Sequence, residues 1–121
     1  MSGWLWVAVS LIGGGGAVLR FVVDGAVASR AGGAFPVGTM VVNVSGALVL
    51  GFLAGLTLAP TGALLAGTAA VGSYTTFSTW MLESQRLVEE RRTGWAALNI
   101  ALSLVLGLVA AAFGGVIGQW L

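Results

Sequence analysis

Val71-Gly72-Ser73-Tyr74-Thr75-Thr76-Phe77-Ser78-Thr79-Trp80 lies in the middle of an apolar segment that runs from Gly62 to Leu82. A glycine followed by serine, tyrosine and two β-branched threonines makes a poor helix interior. Its apolar flanks nevertheless place it where a bilayer has no water to satisfy freed backbone groups. Irregular backbone at that depth is tolerated only where protein buries it or where it lines a cavity. The stretch therefore reads as a spanning helix broken at the membrane centre, with carbonyls exposed at the end of its first half and amides at the start of its second. Carbonyl ends attract a cation and amide ends attract an anion. The competing reading is an unbroken helix whose hydroxyls bond back to carbonyls one turn earlier.

Around this segment the chain is apolar almost throughout. Of its 121 residues 58% are hydrophobic and 7% charged, which excludes a water-soluble domain of this size. A spanning helix takes about 20 apolar residues. The expectation is an all-α integral membrane protein, a single domain over residues 1–121 with four transmembrane helices at about 3–23, 37–58, 62–82 and 95–121. Cysteine and histidine are absent, which removes disulfides, thiolate metal sites and the usual proton shuttle near neutral pH. The first segment has no basic region before it and reads as a retained helix, not a signal peptide.

The polar clusters fall between the spans. Asp24 to Pro36 forms the first connection, and Ala59, Pro60 and Thr61 form a tight turn in which Thr61 is the expected N-cap. Glu83 to Gly94 is a charged helical extension, where Glu83 and Arg86 at i,i+3 are expected to pair on a solvated face. Trp4, Trp6, Trp95 and Trp120 stand near span ends as interfacial anchors.

Small residues recur every fourth position on two spans: Thr39, Asn43, Ala47, Gly51 and Gly55, then Asn99, Ser103, Gly107, Ala111 and Gly115. Such stripes allow close helix packing in lipid. Each is polar at one end, and an amide in hydrocarbon must be paired or wetted. Asn43 is accordingly either a functional group or a structural interhelical bond.

Three segments, Gly13 to Phe21 (GGGGAVLRF), Pro36 to Gly46 (PVGTMVVNVSG) and Gly72 to Trp80 (GSYTTFSTW), resemble the signatures of the Fluc (CrcB-like) fluoride channel family, in order and on the matching spans. The resemblance covers nearly the whole chain. It implies a fluoride-selective anion channel that exports fluoride passively across a prokaryotic plasma membrane. It further implies an antiparallel dual-topology dimer with two narrow pores and a structural sodium ion at its centre. Carried over residue by residue, the sodium site falls on the backbone carbonyls of Gly72 and Thr75, the pore asparagine on Asn43, the first pore phenylalanine on Phe77, the following hydroxyl on Ser78 and the first-helix arginine on Arg20. Ser103 is the expected pore hydroxyl of the fourth helix. The chain departs from the family pattern at Trp80, where a second phenylalanine is usual, and at Met81, Val41 and Ser73.

The chemistry of the residues agrees. Fluoride is a strongly hydrated hydrogen-bond acceptor, so a pore must replace its water with donors such as the Asn43 amide, the Ser78 hydroxyl and the electropositive edge of Phe77. Arg20 is expected near the end of its span, as a vestibule charge or an interface anchor. A small multidrug-resistance-type transporter would need a membrane-embedded carboxylate, whereas Asp24, Glu83, Glu89 and Glu90 all lie in or next to connections. A non-transporting scaffold subunit would leave the costly central break unexplained. No nucleophile and base pair, metal-ligand cluster or phosphate loop points to catalysis.

Charge placement bears on the partner. Arg20, Arg30, Arg86, Arg91 and Arg92 all fall on or near one side, the side of the first and third connections. Such asymmetry orients a membrane protein. The antiparallel dimer is therefore expected to form either with itself or with a differently charged paralogous subunit.

Overall fold

A computed structural model describes residues 1–121. The chain is all helical. Three of its helices are long and apolar enough to cross a membrane: α1 (Gly3–Ala31), α2 (Val37–Leu56) and α5 (Thr93–Trp120). Between α2 and α5 lie two shorter pieces. The first, α3, is a continuous helical run made of Pro60–Gly62, a π-helical stretch Ala63–Val71 and Gly72–Tyr74; the second, α4, is Ser78–Glu89.

Boundaries differ from the sequence expectation in three places. Helix α1 does not stop at Val23 but continues to Ala31, where Gly32 and Gly33 at φ 64 and 75° terminate it. Within Asp24–Ala31 the lone Gly25 weakens the helix without ending it and alanine, valine and serine tolerate one, so the helix runs on until the paired glycines take positive φ. At the second turn Ala59 is the N-cap and Pro60 occupies the first helical position, so Thr61 is inside the helix and caps nothing. Proline at that position loses no hydrogen bond, since its missing N–H would have been unpaired. Glu83, finally, does not face outward to pair with Arg86. It is half-buried toward Thr39 of α2 and Asp24 of α1, and one of its carboxylate oxygens is buried without a partner.

The two small-residue stripes pack against each other, within one chain. Gly51 meets the Ala111 carbonyl, and a Cβ on Gly55 would come 2.5 Å from the Gly115 carbonyl. From the other helix, Gly114 abuts the Leu48 carbonyl and Gly118 the Phe52 carbonyl. Residues advance together along both helices, so α2 and α5 run parallel at backbone contact. That register brings Asn43 level with Ser103 and Thr39 level with Asn99. The glycine run of α1 has a similar use: a Cβ on Gly16 would come 2.6 Å from the Ala70 carbonyl, so α1 lies directly on α3.

The first and third connections meet at one end of the bundle. Phe35 packs edge-on against Trp95 at 6.0 Å between ring centroids, and the Arg92 guanidinium lies 5.2 Å over the same indole. Only 14 of 121 residues are buried, and the remaining surface is dominated by exposed leucine, valine and phenylalanine. A surface of that kind belongs against lipid or another chain.

Candidate functional site: an interrupted helix beside a polar seam

Thr75 ends α3 in an extended conformation, φ −80 and ψ 163°, and helix resumes only at Ser78. The Thr75 amide still bonds the Val71 carbonyl at 3.0 Å, as does its hydroxyl at 3.1 Å. Beyond it the ladder stops. The next amide, that of Thr76, turns to a side chain of another helix, and the Phe77 amide has no backbone partner, so the Gly72 carbonyl is left out of the ladder. The Thr76 hydroxyl instead accepts from the Thr79 amide in the first turn of α4 at 3.2 Å.

Asn43 holds this irregular segment. Its amide nitrogen donates to the Thr76 carbonyl at 2.7 Å, and its carbonyl oxygen accepts from the Thr76 amide at 2.8 Å. One side chain thereby satisfies both backbone groups of the residue most in need of them. Ser45, two residues further along α2, and Tyr74 join hydroxyls at 2.9 Å, and Gly46 lets Thr75 and Tyr74 lie on the α2 backbone. A second amide N–H remains on Asn43, which also lines the neighbouring groove.

That groove, about 890 Å³, brings together Asn43, Gly72, Thr75, Phe77, Trp80 and Ser103. Phe77 is 69% exposed and stands edge-on to Trp80 at 6.0 Å and 87°. Trp80 is fixed from behind: its indole N–H donates to the Asn99 carbonyl at 3.3 Å, and its own carbonyl accepts from Ser84 at 2.9 Å. The Asn99 amide donates to Ser84 at 2.9 Å and closes the circuit.

Two expected site residues lie elsewhere. Ser78 is exposed at the first turn of α4 and does not line the groove. Arg20 is not near the end of its helix, because α1 continues for three more turns. It lies on the far side of the break, where its guanidinium donates to the Thr75 carbonyl at 3.4 Å. There it lines a smaller pocket of about 210 Å³ with Asp24, Thr39, Thr76 and Thr79.

Sequence reasoning passed over Thr39, Ser84, Asn99 and Glu83 as site residues. The signal was present in part, since Thr39 and Asn99 are the polar ends of the two stripes. All buried side-chain atoms that lack a partner belong to this neighbourhood: Thr39 Oγ1, Glu83 Oε1, Asn99 Oδ1 and Ser103 Oγ. Thr39 is 2%, Asn99 0% and Ser103 6% exposed. Unpaired polar atoms that deep cost about 1–3 kcal/mol each unless water or an ion completes them. The site is thus a row of hydrogen-bonding groups along the α2–α5 seam, beside a helix whose ends are open. It suits transfer of a small hydrated ion better than bond-making chemistry.

The model of the family described as "CrcB-like protein, Camphor Resistance (CrcB)" matches residues 7–115. The chain is 64% identical over 115 residues to "Fluoride-specific ion channel FluC 2" of Mycolicibacterium paratuberculosis, covering 95% of this chain and 94% of that protein. It is 58% identical over 117 residues to the Mycobacterium tuberculosis protein of the same name, covering 97% of this chain and 90% of the relative. A protein of Symbiobacterium thermophilum named "Fluoride-specific ion channel FluC 1" is 41% identical over 119 residues, 93% of this chain and 96% of its own.

Proposed function

The chain belongs to the CrcB-like family, and on that premise we propose that it is a fluoride channel subunit that lets fluoride leave the cell passively. Its work is conduction and not catalysis. The observation that carries this reading is the groove itself, where the buried, unpartnered Ser103 hydroxyl, the spare Asn43 N–H and the edge-on Phe77–Trp80 pair line one passage. Each can donate a hydrogen or a positive ring edge to an anion that must give up water. The Phe77 amide, without a backbone partner at the start of α4, adds the positive end of a helix dipole.

In this reading the chain crosses the membrane four times. The parallel course of α2 and α5 supports it, because a chain that leaves α2 on one side and starts α5 on the other must cross back through α3 and α4. The third crossing is then broken at Thr75–Phe77, inside the membrane. The subunit completes its pores in an antiparallel dimer in the plasma membrane, either with itself or with a paralogue. The mostly apolar, uncovered surface supports pairing. Arginines gathered at one end support a partner of opposite orientation and different charge, and the numerals in the names FluC 1 and FluC 2 fit subunits that come in pairs.

The carbonyls of Gly72 and Thr75 suit a hard cation such as sodium. They are oxygen donors released from the helical ladder, and a cationic side chain already rests on the second. Bound there between two subunits, sodium would satisfy carbonyls that the helical ladder leaves free and that a partner would otherwise cover without a donor.

Liposomes carrying the purified protein, alone and with a paralogue, should release fluoride to an electrode faster than empty liposomes. Release at the empty-liposome rate in both preparations defeats the channel reading.

A further inference from the structure

Arg20 makes an unusual use of a membrane-embedded charge. Its guanidinium reaches 55 residues along the sequence to a backbone oxygen, the Thr75 carbonyl, in the one place where the helix has let its carbonyls go. No carboxylate pairs with it. Asp24, one turn further along α1, turns its carboxylate onto Gly38 at the first turn of α2, and Glu83 faces Thr39. The full positive charge of Arg20 therefore stands at the break. The polar pocket between them leaves the guanidinium room to swing toward Asp24.

We propose that Arg20 is the resident cation of the break: in the single subunit it holds the Thr75 carbonyl oxygen, and it lowers the affinity of a metal cation for that same oxygen. This rests on the reading of Gly72 and Thr75 as a sodium site. A carbonyl has two lone pairs, so both cations can reach it. They then stand a few ångströms apart in surroundings that screen charge poorly, which weakens metal binding by roughly tenfold or more. Arg20 covers the carbonyl before a partner and an ion arrive, and afterwards it keeps the ion exchangeable. It is a positioning residue, since it need not touch fluoride.

The test is thermal unfolding of the purified protein in detergent while sodium replaces a large organic cation at constant ionic strength. For wild type the melting temperature rises with sodium to a plateau, and the midpoint of that rise is the readout. Arg20→Gln moves the midpoint about tenfold lower, while Arg20→Lys, which keeps the charge, stays near wild type. Equal midpoints for wild type and Arg20→Gln overturn the proposal and leave the sodium site standing. A melting temperature indifferent to sodium in every variant overturns the sodium site, and the proposal with it. Should Arg20→Gln give no folded protein, Asp24→Asn probes the same balance from the other side. Without that carboxylate in the shared pocket the positive charge of Arg20 at the break is less offset and the midpoint rises several-fold; an unchanged midpoint overturns the proposal.

Discussion

Asn43 offers Thr76 the pair of hydrogen bonds that a neighbouring strand would offer, at 2.7 and 2.8 Å, and no other side chain in the break does so. Its residue type is therefore constrained twice, by an inward clamp and by the N–H left over for the groove. Asn43→Ala strands both Thr76 groups, and Asn43→Asp lacks the donor for the Thr76 carbonyl. Each should lower stability by about 2–4 kcal/mol as well as reduce fluoride flux. Phe77→Ile should separate the two effects. Phe77 is largely exposed within the subunit, so flux falls while the melting temperature of the subunit changes little. The measurement is thermal unfolding beside liposome flux for each variant; an Asn43→Ala protein as stable as wild type would show that the clamp contributes nothing. Of these two roles the sequence offered both for Asn43, since an amide in an apolar span needs some partner, but it could not say which. Thr76 is 33 residues away, and no spacing rule reaches that far.

At the scale of elements, the α2–α5 seam is an intrachain contact. The stripes predict close packing from period alone, and the structure adds which helix meets which. Gly51→Ala places a methyl group into the Ala111 backbone, where nothing can move aside, whereas Gly107 has no atom within 4 Å of a would-be Cβ. Overpacking of this kind costs about 1–3 kcal/mol or more. The yield of monodisperse protein by gel filtration should drop for Gly51→Ala and hold for Gly107→Ala; equal yields would mean that the seam tolerates separation. The other element-scale consequence concerns α4. Burial raises the Glu83 pKa from its ordinary 4.5, with nearby Asp24 pushing the same way and the Thr39 hydroxyl and Arg86 opposing. A carboxyl whose folded pKa is raised binds its proton more tightly in the native state. Its contribution is most favourable below pH 4.5 and is lost as pH rises through the folded value. Glu83→Gln should flatten this part of the stability–pH profile and stabilise the protein at neutral pH. Parallel profiles for the two proteins would show that Glu83 is ionised as freely as in water.

For the molecule as a whole, orientation follows from charge. Phe35, Arg92 and Trp95 join the first and third connections at one end, so Arg30, Arg86, Arg91 and Arg92 stand together there, while the other end has no arginine or lysine. Arg20 counts little, because it lies at the depth of the break. An accessible tag on the C-terminus of the chain expressed alone should react from outside the cell only. Comparable labelling from both sides would mean a subunit that inserts in both directions and pairs with itself.

Composition and hydropathy by themselves determined an all-helical membrane protein with an irregular segment at residues 71–80, because the bilayer penalises any other use of so apolar a chain. The stripes determined that two helices approach closely, since small residues every fourth position have little other physical use in lipid. Where α1 ends, that the two stripes are each other's partners, that Asn43 clamps Thr76 and that Arg20 reaches Thr75 were decided only by the tertiary structure. Each of these depends on contacts between residues distant in the chain, and local propensity and periodicity do not encode which surfaces meet. The same limit explains Glu83. Its i,i+3 spacing to Arg86 suggested half of a solvated ion pair, whereas in the folded chain the side chain turns inward toward Thr39 and Asp24.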